Sequence, residues 1–104
     1  MTFTLNAPMF DYLVLAVIRQ HDTYGYEISQ TIKSVSDTKD STLYPVLKRL
    51  QDQHLVTTYN QEYQGRNRKY YSITQEGTVR YEEMCMEWDK FTNLIHSITE
   101  GSQV

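Results

Sequence analysis

Residues 41–50 have the sequence STLYPVLKRL, in which leucine recurs at the spacing of one helix face. Leu43, Leu47 and Leu50 are separated by four and then by three positions, so we expect them to point inward from a helix over about 41–53. A short amphipathic helix with a polar outer face is therefore predicted at the centre of the chain.

The outer face of this helix carries two cations. Its outward positions include Ser41, Thr42, Tyr44, Lys48 and Arg49. An α-helix fits the major groove of B-form DNA, where such side chains bond to phosphates and base edges. The alternative is a solvated helix face without a ligand. Pro45 is best tolerated in the first turn of a helix, which predicts a helix start near residue 41 or 42.

Two short runs after this helix favour β-strands. Residues 55–59 (LVTTY) and 69–73 (KYYSI) are rich in β-branched and aromatic residues, and Gly65 between them is available for a turn. We expect a hairpin with a basic tip. The candidate phosphate or minor-groove contacts at this tip are Arg66, Asn67, Arg68 and Lys69, with a merely solvated loop as the alternative. Tyr70 and Tyr71 face opposite ways in a strand, so one of them should be buried.

Two further helices are predicted before residue 41. Apolar residues of one helix face, over about 8–20, are Phe10, Leu13, Val14, Val17 and Ile18. The sequence TYGYE at 23–27 then gives a turn and a new start, with Thr23 as candidate N-cap of a helix over about 24–36. Three helices followed by a basic hairpin predict a mainly α fold with a small β-hairpin, the winged helix-turn-helix.

A long C-terminal helix is predicted from Thr74, its candidate N-cap, to about residue 98. Its apolar residues recur at alternating spacings of three and four, which is a heptad stripe. They are Tyr81, Met84, Trp88, Phe91, Ile95 and Ile98. At about 35 Å the helix exceeds what the small domain needs. We therefore expect a DNA-binding domain over 1–74 and a dimerisation helix and tail over 75–104, with Phe10 and Leu13 of the first helix contributing to the dimer interface.

The net charge of −3 is unevenly distributed along the chain. Residues 1–38 carry two basic and four acidic side chains, residues 39–73 carry six basic and three acidic, and residues 74–104 carry two basic and six acidic. Because salt screens charges beyond about 8–10 Å, a local basic surface in the middle third is able to bind phosphates despite the acidic total.

Catalytic and metal-binding functions are not favoured. The histidines His21, His54 and His96 fall in different predicted elements, and no nucleophile is paired with a base at a recognisable spacing. One cysteine, Cys85, supplies neither an internal disulfide nor a metal-ligand cluster, and we expect it to be a small buried residue. We expect no enzyme activity, no cofactor and no metal. The apolar N-terminal stretch ends at Arg19, so we also expect a cytoplasmic protein without a membrane anchor.

Three stretches resemble the PadR family of transcriptional regulators. They are residues 24–28 (YGYEI), 41–50 (STLYPVLKRL) and 65–77 (GRNRKYYSITQEG), and the resemblance covers about 8–98. It implies a winged helix with a C-terminal dimerisation helix. It also implies a sequence-specific repressor that binds a roughly palindromic promoter site in double-stranded DNA as a homodimer and is released by a small molecule or another signal.

Trp88, within Glu87-Trp88-Asp89, resembles a tryptophan of the short, multidrug-responsive members of that family. The resemblance implies that Trp88 stacks a planar aromatic compound at the dimer interface, while dimer packing is its alternative role. A different function is a winged-helix protein-interaction module whose hairpin meets an acidic partner, without specific DNA binding.

Overall fold

The computed structural model describes residues 3–101, which form four α-helices and three β-strands. In chain order these are α1 (Ala7–Gln20), β1 (Thr23–Tyr24), α2 (Gly25–Lys33), α3 (Asp40–Asp52), β2 (Val56–Tyr63), β3 (Arg66–Ile73) and α4 (Gln75–Thr99). The strands form an antiparallel sheet in the order β1-β3-β2. This arrangement confirms the predicted winged helix, with the β2–β3 hairpin as the wing.

The hydrophobic core lies where α1, α2 and α3 meet the base of the sheet. The three inward positions predicted on α3 are fully buried: Leu43, Leu47 and Leu50. Each such leucine contributes about 2 kcal/mol through removal of its apolar surface from water. Val56 and Tyr71 cover the core from the sheet side, whereas Tyr70 is half-buried on the other face. The expectation that one of the two adjacent tyrosines is buried is therefore confirmed.

The start of α2 differs from the prediction. Thr23 is not an N-cap but belongs to β1, where it pairs with Tyr71 of β3, and its fully buried hydroxyl donates a hydrogen bond to the Glu27 carboxylate. The N-cap is Tyr24, without a side-chain hydrogen bond, and α2 ends at Lys33 instead of near residue 36. The pairing with β3 is a long-range interaction, which a local capping pattern does not reveal.

The wing is longer than predicted. Its strands continue to Tyr63 and restart at Arg66, so the turn consists of Gln64 and Gly65 alone, both in the left-handed region (φ 51° and 79°). Positive φ at both central residues is typical of the tight type I′ hairpin turn. The basic residues predicted for a loop at the tip consequently lie on β3, where successive side chains face opposite ways.

The position of Pro45 was predicted wrongly. Because α3 begins at Asp40, Pro45 is its sixth residue and lies in the second turn. Lacking an N–H, it leaves the Ser41 carbonyl without the usual donor from four positions ahead. Asp40 is held at the helix start by the Ser29 hydroxyl, 2.6 Å from its Oδ1, and by the Lys33 ammonium at 3.3 Å.

α4 starts where predicted and extends beyond the core. The Thr74 hydroxyl accepts a hydrogen bond from the Gly77 amide at 2.9 Å, which confirms the predicted N-cap. α1 packs on α4, and the molecule measures 59 Å in its longest dimension. Within residues 3–101, no helix is long and apolar enough to cross a membrane.

Candidate nucleic-acid interface

The outer face of α3 is open to solvent. Ser41, Thr42 and Lys48 are exposed, and half of the Tyr44 surface is accessible. Lys48 forms an ion pair with Asp52 at 3.5 Å, one helical turn away, and both side chains are largely exposed. Exposed pairs of this kind contribute little stability. The Lys48 ammonium is therefore available to an external phosphate.

Arg49 has a different environment from its neighbour Lys48. Its guanidinium donates a hydrogen bond to the carboxylate of Asp11, which joins α3 to α1, and the Asp11 side chain is only 22% exposed. Sequence reasoning assigned Arg49 to DNA because it lies on the polar side of the helix. The structure instead places its charge in a contact within the domain.

The basic residues of the wing are divided between the two faces of the hairpin. Arg66 and Arg68 lie opposite Tyr63 and Gln61 on the outer face, away from the core, whereas Asn67 and Lys69 share the core-side face with Tyr71. Lys69 lies 5.4 Å from the centre of the Tyr71 ring. Arg66, Asn67 and Lys69 are exposed. The exposed cations of the wing thus flank its turn on both faces.

Arg68 is held between two aromatic rings. Its guanidinium carbon lies 4.0 Å from the centre of the Tyr24 ring and 4.1 Å from that of Tyr63. Cations over aromatic faces at such distances are attracted by the ring electrons. Like Arg49, Arg68 is therefore engaged within the chain, whereas the sequence predicted that it contacts phosphates or the minor groove.

A cluster of tyrosines on the outer face of the sheet was missed by sequence reasoning. The Tyr70 ring stacks on Tyr59 and meets Tyr24 edge-on, with centroid distances of 5.6 Å in both pairs. The Tyr59 hydroxyl donates a 2.7 Å hydrogen bond to Asp22, and this bond raises the pKa of Tyr59. The alternation of residues along the two strands would have placed Tyr59 and Tyr70 on one face, but their register was not known.

Asp40, the acidic residue at the start of α3, has a nearby cation that offsets part of its negative charge. The hydrogen bond from Ser29, followed by the interaction with Lys33, holds the pKa of Asp40 below its usual value. Its charge is thus partly neutralised by Lys33 of α2.

Comparison with known proteins matches residues 14–83 to the transcriptional regulator PadR-like family. The chain belongs to the PadR-like family. Since this is a family of transcriptional regulators, its membership confirms that the protein is not an enzyme.

Solved structures of other proteins share this fold. A crystal structure of a protein from Streptococcus mutans UA159 is 43% identical, with a TM-score of 0.95, over 100% of this chain and 98% of that one. A PadR family transcription regulator from Clostridium difficile R20291 is 30% identical, with a TM-score of 0.81, over 86% and 97% of the two chains. Bacillus subtilis PadR, solved in complex with operator DNA, is 26% identical with a TM-score of 0.64, over 70% of this chain and 44% of that chain.

The C-terminal stripe of this PadR-like chain has a buried and an exposed part. Met84 is buried against the core, as is Phe10 of α1, and Leu13 and Tyr81 are half-buried. The large apolar side chains further along α4 are exposed: Trp88, Phe91, Leu94, Ile95 and Ile98. Among residues 3–101, Trp88 is partly covered by Tyr12 of α1, whereas Leu94, Ile95 and Ile98 are exposed to solvent.

A groove of about 260 Å³ lies between the start of α1 and the middle of α4. Its walls include Met9, Tyr12, Glu87, Trp88 and Phe91. The Trp88 ring is 6.2 Å from Tyr12 and 6.0 Å from Phe91, measured between ring centres. The groove is thus mainly apolar, and its lining includes three aromatic rings and one carboxylate, that of Glu87.

Cys85 lies next to this groove and is half-buried, not buried as expected. Its sulfur accepts a 3.4 Å hydrogen bond from the Tyr12 hydroxyl. This hydrogen bond, with burial, raises the pKa of Tyr12 to about 12. Tyr12 stacks on Tyr81 at 5.7 Å, so the three side chains join α1 to α4.

Proposed function

We propose that this PadR-like chain is a sequence-specific regulator that binds double-stranded DNA with α3 in the major groove and the wing beside it. The observation that carries the proposal is the exposed polar face of α3 next to the exposed cations of the wing. The complex of Bacillus subtilis PadR with operator DNA supports it. The proposed contact residues are Ser41, Thr42, Tyr44, Lys48, Arg66, Asn67 and Lys69.

We assign different tasks to the two parts of this surface. Contacts from a helix in the major groove read base edges, whereas contacts to phosphates position the protein without reading sequence. Tyr44 on α3 therefore determines sequence preference, whereas the cations Lys48, Arg66 and Lys69 contact phosphates and strengthen binding to every sequence.

Substitutions in each part test this division. The assay measures affinity for a duplex selected by the wild-type protein from a random library and for a scrambled duplex of the same length. Arg66→Ala with Lys69→Ala should weaken binding to both duplexes alike, whereas Tyr44→Ala should reduce the ratio between them. Lys90→Ala, which removes an exposed cation from α4, is the matched control. Wild-type affinity of the wing variant for both duplexes would contradict the assignment.

We further propose that the protein acts as a homodimer on a roughly palindromic promoter site, held by α4 beyond Thr74. Exposed apolar side chains in a row of five along one helix are unusual unless a second surface covers them. A two-fold dimer brings the same stripe from both copies together and doubles the DNA surface. Of the other residues predicted for the interface, Leu13 and Tyr81 are half-buried, and Phe10 and Met84 are buried in the core.

Two substitutions on opposite sides of α4 test the dimer. Ile95 belongs to the stripe, and Met86, also exposed, lies nine positions earlier and about half a turn away around the helix. Ile95→Glu should give a monomer by light scattering at micromolar concentration, because it places a charge inside the interface. Met86→Glu should remain a dimer. A monomeric wild-type protein with intact helical circular dichroism would contradict the proposal.

We also propose that the protein is a repressor released by a planar aromatic ligand, which stacks on Trp88 in the groove. The aromatic walls suit a flat ring, and Glu87 suits a positive charge on it. Because the groove joins α1 to α4, a ligand there is able to alter the angle between the two DNA-binding domains. Release requires that the ligand prefer this altered geometry to the DNA-bound one.

Fluorescence tests the ligand directly, since Trp88 is the single tryptophan of the chain. An acridine dye should quench its emission saturably and loosen the DNA complex, and Glu87→Gln should weaken binding of the cationic dye more than that of a neutral analogue. Trp88→Ala should abolish dye binding, measured calorimetrically, while leaving a dimer that binds DNA. If dyes that loosen the DNA complex leave Trp88 emission unchanged, Trp88 has a packing role.

A further inference from the structure

Tyr24 and Gly25, at the start of α2, contact both parts of the proposed DNA-binding surface, although neither is assigned to DNA. Tyr24 is the N-cap of α2 and pairs with Tyr70 of the wing strand β3, and Gly25 is the first residue of the helix. Both are half-buried.

The Tyr44 ring of α3 packs against Gly25, at the position that a Cβ atom would crowd. A Cβ atom added at Gly25 would lie 3.1 Å from Cε1 and 3.2 Å from the hydroxyl oxygen of Tyr44, with Cζ at 3.6 Å. Such distances are shorter than ordinary carbon contacts, which begin at about 3.5 Å. With any side chain at position 25, the Tyr44 ring must therefore move by a few tenths of an ångström. Since half of that ring is exposed, it is free to move outward, toward the proposed DNA.

Tyr24 performs the corresponding task for the wing. Its ring holds the Arg68 guanidinium at 4.0 Å, while Tyr63 near the wing turn covers the other side at 4.1 Å. Tyr24 also meets Tyr70 edge-on at 5.6 Å. The wing thus packs against Tyr24, which directly precedes Gly25 in the chain.

We propose that Tyr24 and Gly25 are positioning residues that set the geometry between α3 and the wing: Gly25 controls sequence discrimination through Tyr44, and Tyr24 controls affinity for every sequence through the wing. Gly25 fixes where the Tyr44 ring points, and Tyr24 fixes the wing through Arg68. Because the two residues are adjacent, α3 and the wing are both positioned by one short segment of backbone. This inference rests on the proposed DNA binding and identifies the residues that tune it.

The first test is a double-mutant cycle on Gly25 and Tyr44. The readout is the ratio of affinities for the duplex selected by the wild-type protein and for a scrambled duplex. Gly25→Ala should lower this ratio about fivefold, within the range found for residues in direct contact. Its melting temperature should not fall, because alanine favours a helix more than glycine does. In a Tyr44→Ala background, Gly25→Ala should have no further effect, since the ring it displaces is absent.

The second test concerns Tyr24 and uses the same two duplexes. Tyr24→Leu should weaken binding to both about fivefold, because the wing loses its support. Tyr24→Phe should keep wild-type affinity, because the Arg68 contact needs the ring and not the hydroxyl. In an Arg68→Ala background, Tyr24→Leu should have no further effect.

The outcomes separate this inference from the proposed function. If the wild-type protein does not prefer the selected duplex, the proposed function itself fails. If it does, but Gly25→Ala and Tyr24→Leu leave affinities unchanged, or keep their full effect in the Tyr44→Ala and Arg68→Ala backgrounds, then DNA binding stands and the positioning role is overturned.

Discussion

Arg49 and Lys48 are adjacent cations on α3, yet we predict that only Lys48 contributes to DNA affinity. The Arg49 guanidinium is bonded to Asp11, whose side chain is 22% exposed, whereas Lys48 has a weak, exposed partner. Arg49→Ala should therefore destabilise the fold by about 1 kcal/mol, between the value of an exposed ion pair and that of a buried charged hydrogen bond. This corresponds to a melting temperature lower by about 4 °C at fixed protein concentration.

The salt dependence of DNA binding should change when Lys48 is substituted and not when Arg49 is. Each phosphate contact that is lost makes the negative slope of log affinity against log salt shallower by about 0.9, and one substitution removes two contacts from a dimer. Lys48→Ala or Arg66→Ala should therefore flatten the slope by about 1.8, so that about tenfold less affinity is lost between 50 and 200 mM salt. Arg49→Ala should leave the slope unchanged.

Thermal unfolding and a salt titration of DNA binding, on the same protein samples, check both expectations. Asp11→Asn serves as a second control, since it should destabilise the fold much as Arg49→Ala does, and the double variant should be little worse than either. If Arg49→Ala flattened the slope of log affinity against log salt and left the melting temperature unchanged, this reasoning would be refuted. Arg49 would then be a DNA contact.

Three further predictions concern the fold. Asp40→Asn should destabilise the protein at neutral pH. Because the folded-state pKa of Asp40 is depressed, this difference should shrink as pH falls through that pKa, below about 4, as acid unfolding will show. Gly77→Ala should lower the free energy of unfolding by about 3 kcal/mol, because its Cβ would lie 2.0 Å from the Leu55 carbonyl oxygen. An unchanged denaturation midpoint would contradict this close packing. Thr74→Ala should cost about 1 kcal/mol through loss of the α4 N-cap, with Thr74→Ser restoring most of it.

The features that the sequence predicts well depend on short-range patterns. The inward leucines of α3 and the Thr74 cap follow from spacings of a few residues, and the structure confirms them. The outer half of the wing was missed for the same reason, because residues 60–63 and 66–68 face no core and so lack the alternation that identifies a strand.

The intramolecular contacts of two predicted DNA-binding residues depend on pairs that are distant in the chain. Arg49 and Asp11 are 38 positions apart, and Arg68 meets Tyr24 only after β1 has paired with β3. A helical or strand pattern identifies which side a cation occupies but not which carboxylate or ring lies across from it. The sequence therefore predicts where the cations lie along the chain but not that Arg49 and Arg68 meet Asp11 and Tyr24.

The measurement that tests the central claim most directly is the salt dependence of binding to two duplexes of equal length. One carries DNA from immediately upstream of the protein's own gene, within its footprint, and the other carries the same bases scrambled. Three phosphate-contacting cations in each of two protomers, Lys48, Arg66 and Lys69, predict a slope of about −5 and a preference of about a thousandfold or more for the first duplex. Equal affinity for both duplexes, or a slope near zero, would contradict a sequence-specific DNA-binding function and favour a protein partner for the wing.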